Sequence, residues 1–148
     1  MLEYRKDKFI FRVAEGYLYN PWNDIWACIK VKGMVVRIGL TDYAAQNIGD
    51  IVSIELPGIG KKLSQMDELA TIESVKAVSD VLAPVGGKII KINDQLNDEP
   101  ELINLDPYGE GWIAEIEADN LEEDSKVLVD SREYFEIIKD KIEQKGEK

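Results

Sequence analysis

The sequence predicts an α+β fold that is mainly β. Three observations carry this. Short runs with partly alternating apolar residues recur along most of the chain. A single short stretch, Thr41 to Gly49, breaks that rhythm with helix-start and helix-stop residues. The last third closes on an apolar stripe at helical spacing, Tyr134, Phe135, Ile137, Ile138 and Ile142.

Taken in order, Met1 to Arg12 sets Leu2, Tyr4, Phe9, Ile10 and Phe11 among Arg5, Lys6, Asp7 and Lys8, a short strand or an irregular N-terminal arm. Gly16 to Asp24 contains Tyr17, Tyr19 and Trp22, with Asn20-Pro21 and Asn23-Asp24 as turn signals. Ile25–Val31 and Met34–Leu40 read as antiparallel mates joined by a turn at Lys32-Gly33. Thr41 can cap a short helix, Asp42 suits its first turn, and Gly49 can end it. Period two returns at Asp50–Leu56, and Pro57–Gly60 is a loop.

Glu68–Ile72 and Ser79–Val85 are strand-like and flank Glu73-Ser74-Val75-Lys76-Ala77, which places Lys76 at or beside a hairpin tip with its amine in water. Lys88–Asn93 is a further strand. Gly49–Glu55 and Gly87–Asn93 share one pattern: glycine, charge, two aliphatics, polar, isoleucine, polar. Two similar strands on either side of one hairpin suggest a pseudo-twofold sandwich with the hairpin at its end. Asp98-Glu99-Pro100 starts a turn or short helix through Ile103, Asp106–Gly111 is a loop, and Trp112–Glu117 alternates as a strand. Ser125 or Asp130 can cap the final helix, whose stripe is expected to pack on the core.

The 148 residues suit one domain, with a net charge of -11 and 45% hydrophobic residues. Its expected parts are an N-terminal arm over 1–16, a core over 17–118 and a helical tail over 119–148. The acidic surface disfavours nucleic acid and anionic membranes. From Glu101 onward there are 15 acids against 6 bases, so the last third holds most of the negative field. Such a field can steer the chain toward basic faces of partner proteins.

The absence of histidine removes the usual general base, the usual metal ligand and any Ser/His or Cys/His pair. No catalytic residue and no metal site is therefore expected. Cys28 is the only cysteine, which precludes an internal disulfide, and it reads as a small core residue in a reducing compartment. No apolar run reaches the length of a membrane span, and Met1 to Phe11 lacks the apolar segment of a secretory signal. A cytoplasmic protein is expected.

Five stretches together resemble the H protein of the glycine cleavage system. They are Ile38-Gly39-Leu40-Thr41-Asp42-Tyr43-Ala44, Gly49 to Pro57, Glu73-Ser74-Val75-Lys76-Ala77-Val78-Ser79-Asp80, Ala83-Pro84-Val85-Gly86-Gly87, and Asn104 to Trp112, the last containing Asp106-Pro107-Tyr108-Gly109-Glu110-Gly111-Trp112. The resemblance runs over roughly residues 17–140. It implies a lipoyl-domain fold, a barrel-sandwich hybrid of two small antiparallel sheets, with lipoate in amide linkage on Lys76. It implies a monomeric, non-catalytic carrier. Its partners would be glycine decarboxylase, aminomethyltransferase, dihydrolipoyl dehydrogenase and a lipoylating enzyme. The arm would take the aminomethyl group of glycine from the first to the second. Glu73 would help the lipoylating enzyme recognise the hairpin, and Asp80 would help hold the loaded arm. A biotin carrier is disfavoured, because methionines would flank the lysine where Val75 and Ala77 stand.

One segment departs from the family. Ahead of the first tryptophan, H proteins usually read His-Glu-Trp, and that glutamate contacts the loaded arm. Here the segment is Asn23-Asp24-Ile25-Trp26. Isoleucine cannot accept a hydrogen bond from an amine. Asp24 can, but neighbours on a strand point to opposite faces. The departure opens an alternative: an H-like lipoate-binding protein that serves heterodisulfide-reductase-like sulfur oxidation, or one that relays lipoate to other carriers.

Overall fold

The computed structural model describes residues 1–30 and 34–146; the expected Lys32-Gly33 turn lies outside the described residues. The N-terminal arm is a regular hairpin, β1 (Leu2–Lys6) against β2 (Phe9–Val13), paired from Leu2↔Val13 to Lys6↔Phe9. Its inner side chains Phe11 and Val13 are buried, which is why the segment is ordered rather than irregular.

Two further sheets form the body, and every pairing in them is antiparallel. The larger has seven strands. In chain order these are β3 (Leu18–Asn20), β4 (Ile25–Lys30), β5 (Val35–Leu40), β7 (Lys62–Leu63), β10 (Gly87–Ile92), β11 (Ala114–Ala118) and β12 (Val129–Asp130). Their spatial order is β12-β3-β4-β5-β11-β10-β7. The smaller sheet has the order β6-β8-β9, built from β6 (Ile51–Glu55), β8 (Glu68–Ser74) and β9 (Val78–Leu82). The echoed segments thus become β6 of one sheet and β10 of the other. One sheet is larger than the small sheets expected, because β3, β4 and β12 extend it.

The extension has a physical cause in the alternation of β4. Ile25 and Ala27 join the main core, with Val36, Ile38, Ile89 and Ile116 of the larger sheet and Ile54, Ile72 and Val81 of the smaller. Trp26 and Cys28 belong to a second cluster, with Phe11, Tyr19, Tyr43, Tyr134, Ile138 and Ile142. Each face of β4 therefore has its own cover, as strands buried on both sides require. Cys28 is only half-buried at the margin of this second cluster, a correction to its expected place in the core.

The helices are short except the last. α1 (Asp42–Ile48) has Thr41 as its cap, whose Oγ1 accepts from the Ala44 amide at 3.2 Å, and it ends at Gly49. α2 (Gln95–Asp98), α3 (Leu102–Leu105) and α4 (Leu121–Asp124) are single turns. α5 (Ser131–Gly146) is capped by Asp130, whose Oδ1 accepts from the Glu133 amide at 2.8 Å. Its stripe packs on the second core through Tyr134, Ile138 and Ile142. Among the described residues no helix is long and apolar enough to cross a membrane.

The lysine hairpin and its cleft

β8 and β9 pair from Glu68↔Leu82 to Glu73↔Val78, and Val75, Lys76 and Ala77 make the turn between Ser74, the last residue of β8, and Val78, the first of β9. Ser74 organises it. Its backbone N–H donates to the Ala77 carbonyl at 2.8 Å. Its Oγ accepts from the Lys76 and Ala77 amides at 3.3 and 3.1 Å, a side chain replacing backbone partners in a tight turn. The Val75 amide donates to the Asp50 carbonyl at 3.0 Å, tying the tip to the start of β6. Lys76 is exposed, as the sequence reading expected, and Val75 and Val78 beside it are exposed too.

A shelf lies under the lysine. Gly49 has φ 86 and ψ -167, and a Cβ there would stand 3.2 Å from Lys76 Cε. Asn104 of α3 pins this shelf. Its Nδ2 donates to the carbonyls of Gly49 at 2.8 Å and Ala45 at 3.3 Å, and its Oδ1 accepts from the Ile51 amide at 2.9 Å. Asn104 falls in a stretch that carries the family resemblance, yet its role is not legible there, because only the fold brings it to the end of α1. The spacing of polar residues gave no signal for it.

Beside the hairpin opens a cleft of about 410 Å³. Ala77, Ser79, Asp80 and Val81 line it from β9 and the turn; Ala44, Asn47 and Ile48 from α1; Leu40 and Ile72 from the two sheets; and Trp22, Asn23 and Asp24 from the β3–β4 turn. Its lining is mostly apolar, with Asn23, Asp24, Asn47, Ser79 and Asp80 among it, and among the described residues no basic one lines it. Of the two acids expected near Lys76, the structure brings Asp80 to this cleft. Glu73 does not line it and instead accepts from Ser53 Oγ at 3.1 Å.

The β3–β4 turn explains the Asn23-Asp24-Ile25 segment. Asn20 and Ile25 close its ladder, and Asn20 Oδ1 accepts from the Trp22 amide at 3.0 Å. Asp24 has φ 57, a left-handed backbone that aspartate tolerates better than most residues. It lies before β4, so strand alternation does not dictate where its side chain goes. Ile25 is 0% exposed in the main core, while Asp24 lines the cleft. Tyr134 of α5 donates to Asp24 Oδ1 at 2.9 Å and shares a 2.7 Å hydrogen bond with Thr41 Oγ1. Burial, aided by the Asp24 charge, raises the Tyr134 hydroxyl well above its ordinary range, so it stays a donor at neutral pH.

The Asp106–Trp112 loop lies elsewhere and has a structural task. Pro107 O accepts from Trp26 Nε1 at 2.9 Å, and Tyr108 OH donates to Arg12 O at 2.9 Å. Asp106 Oδ2 accepts from the Glu110 amide at 2.9 Å, and Asn93 Nδ2 donates to the carbonyls of Glu110 and Trp112 at 2.7 and 2.8 Å. This motif locks the second core rather than touching the cleft. Among the described residues no group of acids and cysteine forms a metal site.

Comparison with known proteins agrees with this architecture. The family model described as "Glycine cleavage H-protein" matches residues 18–141. A probable glycine cleavage system H protein of Pyrococcus horikoshii is 47% identical over 129 residues, which cover 87% of this chain and 94% of the relative. The glycine cleavage system H protein of Carboxydothermus hydrogenoformans is 44% identical over 119 residues, 80% of this chain and 88% of the relative. The crystal structure of a glycine cleavage system H protein from Mycobacterium marinum superimposes with a TM-score of 0.73 at 30% identity, covering 82% of this chain and 95% of that one. The chain belongs to the glycine cleavage H-protein family.

Proposed function

We propose that this protein is the lipoyl carrier of a glycine cleavage system, with lipoate attached through an amide to Lys76. The observation that carries the reading is the placement of Lys76: an exposed amine on a Ser74-braced turn, directly beside a cleft of about 410 Å³. The residues present fit such a group. The turn offers the amine to a lipoylating enzyme, and the cleft offers an apolar wall to a flexible arm returning to the surface. When attached, lipoate supplies a dithiolane that opens, accepts cargo and is reclosed by oxidation.

The chain's own residues present, shelter and release. Val75 and Val78 near the lysine and Trp22 on the cleft, the last 71% exposed, are apolar side chains open to water, which suits transient contact with several partners. Those partners are the decarboxylase, the aminomethyltransferase, the dihydrolipoyl dehydrogenase and the lipoylating enzyme, the last reading the turn with Glu73. Tethering keeps the cargo at raised effective concentration near each partner. The carrier itself is monomeric, cytoplasmic and without a catalytic residue. Asp80 places a carboxylate in the cleft, which suits a protonated amine better than a sulfur-derived cargo. That favours the glycine pathway over the sulfur-oxidation and relay alternatives.

The test has two parts. Protein made in cells supplied with lipoate should carry one adduct by intact mass, absent in Lys76→Ala. The lipoylated protein should then support glycine–bicarbonate exchange with the decarboxylase. An unmodified chain, or a lipoylated one that serves only a sulfur-oxidation complex, counts against the proposal.

A further inference from the structure

The outer face of the larger sheet runs against the charge of the chain. Strand alternation puts Val36, Ile38, Ile89 and Ile116 into the main core, against Ile54, Ile72 and Val81 of the smaller sheet. Their neighbours along the strands therefore point away from the smaller sheet and the hairpin it carries. Two cross-strand rows result. One runs Cys28, Arg37, Glu115, Lys91 over β4, β5, β11 and β10. The next runs Lys30, Val35, Glu117, Lys88, Lys62 and reaches β7. Together they hold five bases and two acids, in a chain whose net charge is -11.

α5 packs on β3 and β12 at one end of this sheet. Toward the other end Lys62, Lys88, Lys91 and Glu117 are exposed. Among the described residues Lys62, Lys88 and Lys91 form no ion pair. Glu115 is buried and already matched: it accepts from Arg37 Nε at 2.8 Å and from Lys30 Nζ at 3.4 Å. Arg37 is thereby held in place, and its guanidinium also lies 4.3 Å from the centre of the Trp112 ring. Lys91 Nζ stands 5.7 Å from the same ring. A preorganised cation loses little freedom when an anion joins it. At its far edge the face ends in a groove of about 450 Å³, bounded by Met34, Lys62, Lys88, Glu117 and Asp119.

Charge complementarity says what fits. Adjacent strands are about 4.8 Å apart, so Arg37 and Lys91, two strands apart in one row, lie about 10 Å from each other. A partner must set anions over the cations and skip Glu117 and Asp119. An acidic polypeptide can do so, because uncharged residues separate its carboxylates. A nucleic acid is charged at every step, and the net charge of the chain repels it. We propose that this face, from Arg37 and Lys91 to Lys62, is a second docking surface, for an acidic segment of a partner protein. It goes beyond the carrier reading and stands without it. Face and hairpin belong to different sheets, so a chain held here still presents Lys76.

Amide NMR of the unmodified protein, titrated at low ionic strength with a peptide of alternating glutamate and alanine, tests the assignment. Shifts should gather at Arg37, Lys88, Lys91, Glu117 and the Trp112 indole, leave Val75, Lys76 and Ala77 unmoved, and fade as salt is raised. Lys88→Glu/Lys91→Glu should weaken binding about tenfold or more, since it removes two attractions and adds two repulsions. Lys88→Gln/Lys91→Gln, which burdens the fold less, should weaken it in the same direction by a smaller factor. Both variants should take up lipoate at the wild-type rate. Shifts centred on the hairpin, undiminished binding by the charge-reversed variant, slower lipoate uptake in either variant, or tighter binding of a deoxythymidine oligonucleotide of equal charge overturns the assignment. If the wild type takes up no lipoate, the carrier reading fails, and the peptide titration still decides the role of the face.

Discussion

Gly49 forms the shelf on which the Lys76 stem rests: a Cβ on Gly49 would lie 3.2 Å from Lys76 Cε. Its dihedrals, φ 86 and ψ -167, fall in a region open essentially to glycine alone. Gly49→Ala should cost about 1–3 kcal/mol of stability, the usual cost of such a conformation. It should also slow lipoate attachment more than an equally destabilising core change such as Leu96→Ala does. Thermal unfolding and the initial rate of adduct formation, measured on both variants, check this.

Asn104 holds the same shelf from below through three hydrogen bonds to the backbone at Ala45, Gly49 and Ile51. Asn104→Ala leaves those groups unsatisfied and should cost about 1–3 kcal/mol. Hydrogen exchange should quicken first at the Ile51 amide, which loses its acceptor directly. Uniform quickening across the protein, with no excess at Ile51, would show that Asn104 does not act locally.

Ile25→Glu places a carboxylate at a position 0% exposed, among Leu40, Ile72 and other core side chains. Burial of an unpaired charge is among the few changes that remove most of a domain's stability. The variant should be poorly folded at neutral pH and should not gain cargo retention. A well-folded Ile25→Glu protein with longer retention would mean that residue 25 reaches the cleft after all.

Asp42 sets a pH dependence. Burial, the dominant effect, raises its carboxyl, against the opposing pull of the Arg12 amide and the Gln46 side chain. An acid whose folded-state pKa lies above its unfolded value holds its proton more tightly when folded, so stability falls as pH rises between the two values. Both donors reach the same oxygen, Oδ2, at 2.8 and 3.0 Å, so an asparagine can accept from both. Relative to the wild type, Asp42→Asn should therefore gain stability as pH rises from acid to neutral. Denaturant midpoints at the two pH values decide it; a relative loss at neutral pH would refute burial as the ruling effect.

Much of the fold was legible because its signals are local. Thr41, Asp42 and Gly49 mark α1 by the hydrogen-bonding and backbone needs of helix ends. Alternation marks β4, β5, β10 and β11, and the turn around Lys76 follows from the two runs beside it. The N-terminal hairpin was only half legible, since its order depends on Phe11 and Val13 finding a second core built by residues more than a hundred positions away, Tyr134 and Ile138.

What the sequence by itself determined was the family, the mainly β architecture and the lysine at the hairpin tip, because each rests on residues close together along the chain. What only the tertiary structure decided was the environment of that lysine. Strand alternation alone would set Asp24 and Ile25 on opposite faces without saying which faces the cleft. The left-handed turn at Asp24 and the hydrogen bond from Tyr134 of α5, 110 residues away, fix the Asp24 carboxylate, and burial fixes Ile25 in the main core. Asn104 and Gly49 likewise meet Lys76 only through packing. A shelf and a cleft are made of distances between remote residues, and those distances exist only once the chain has folded.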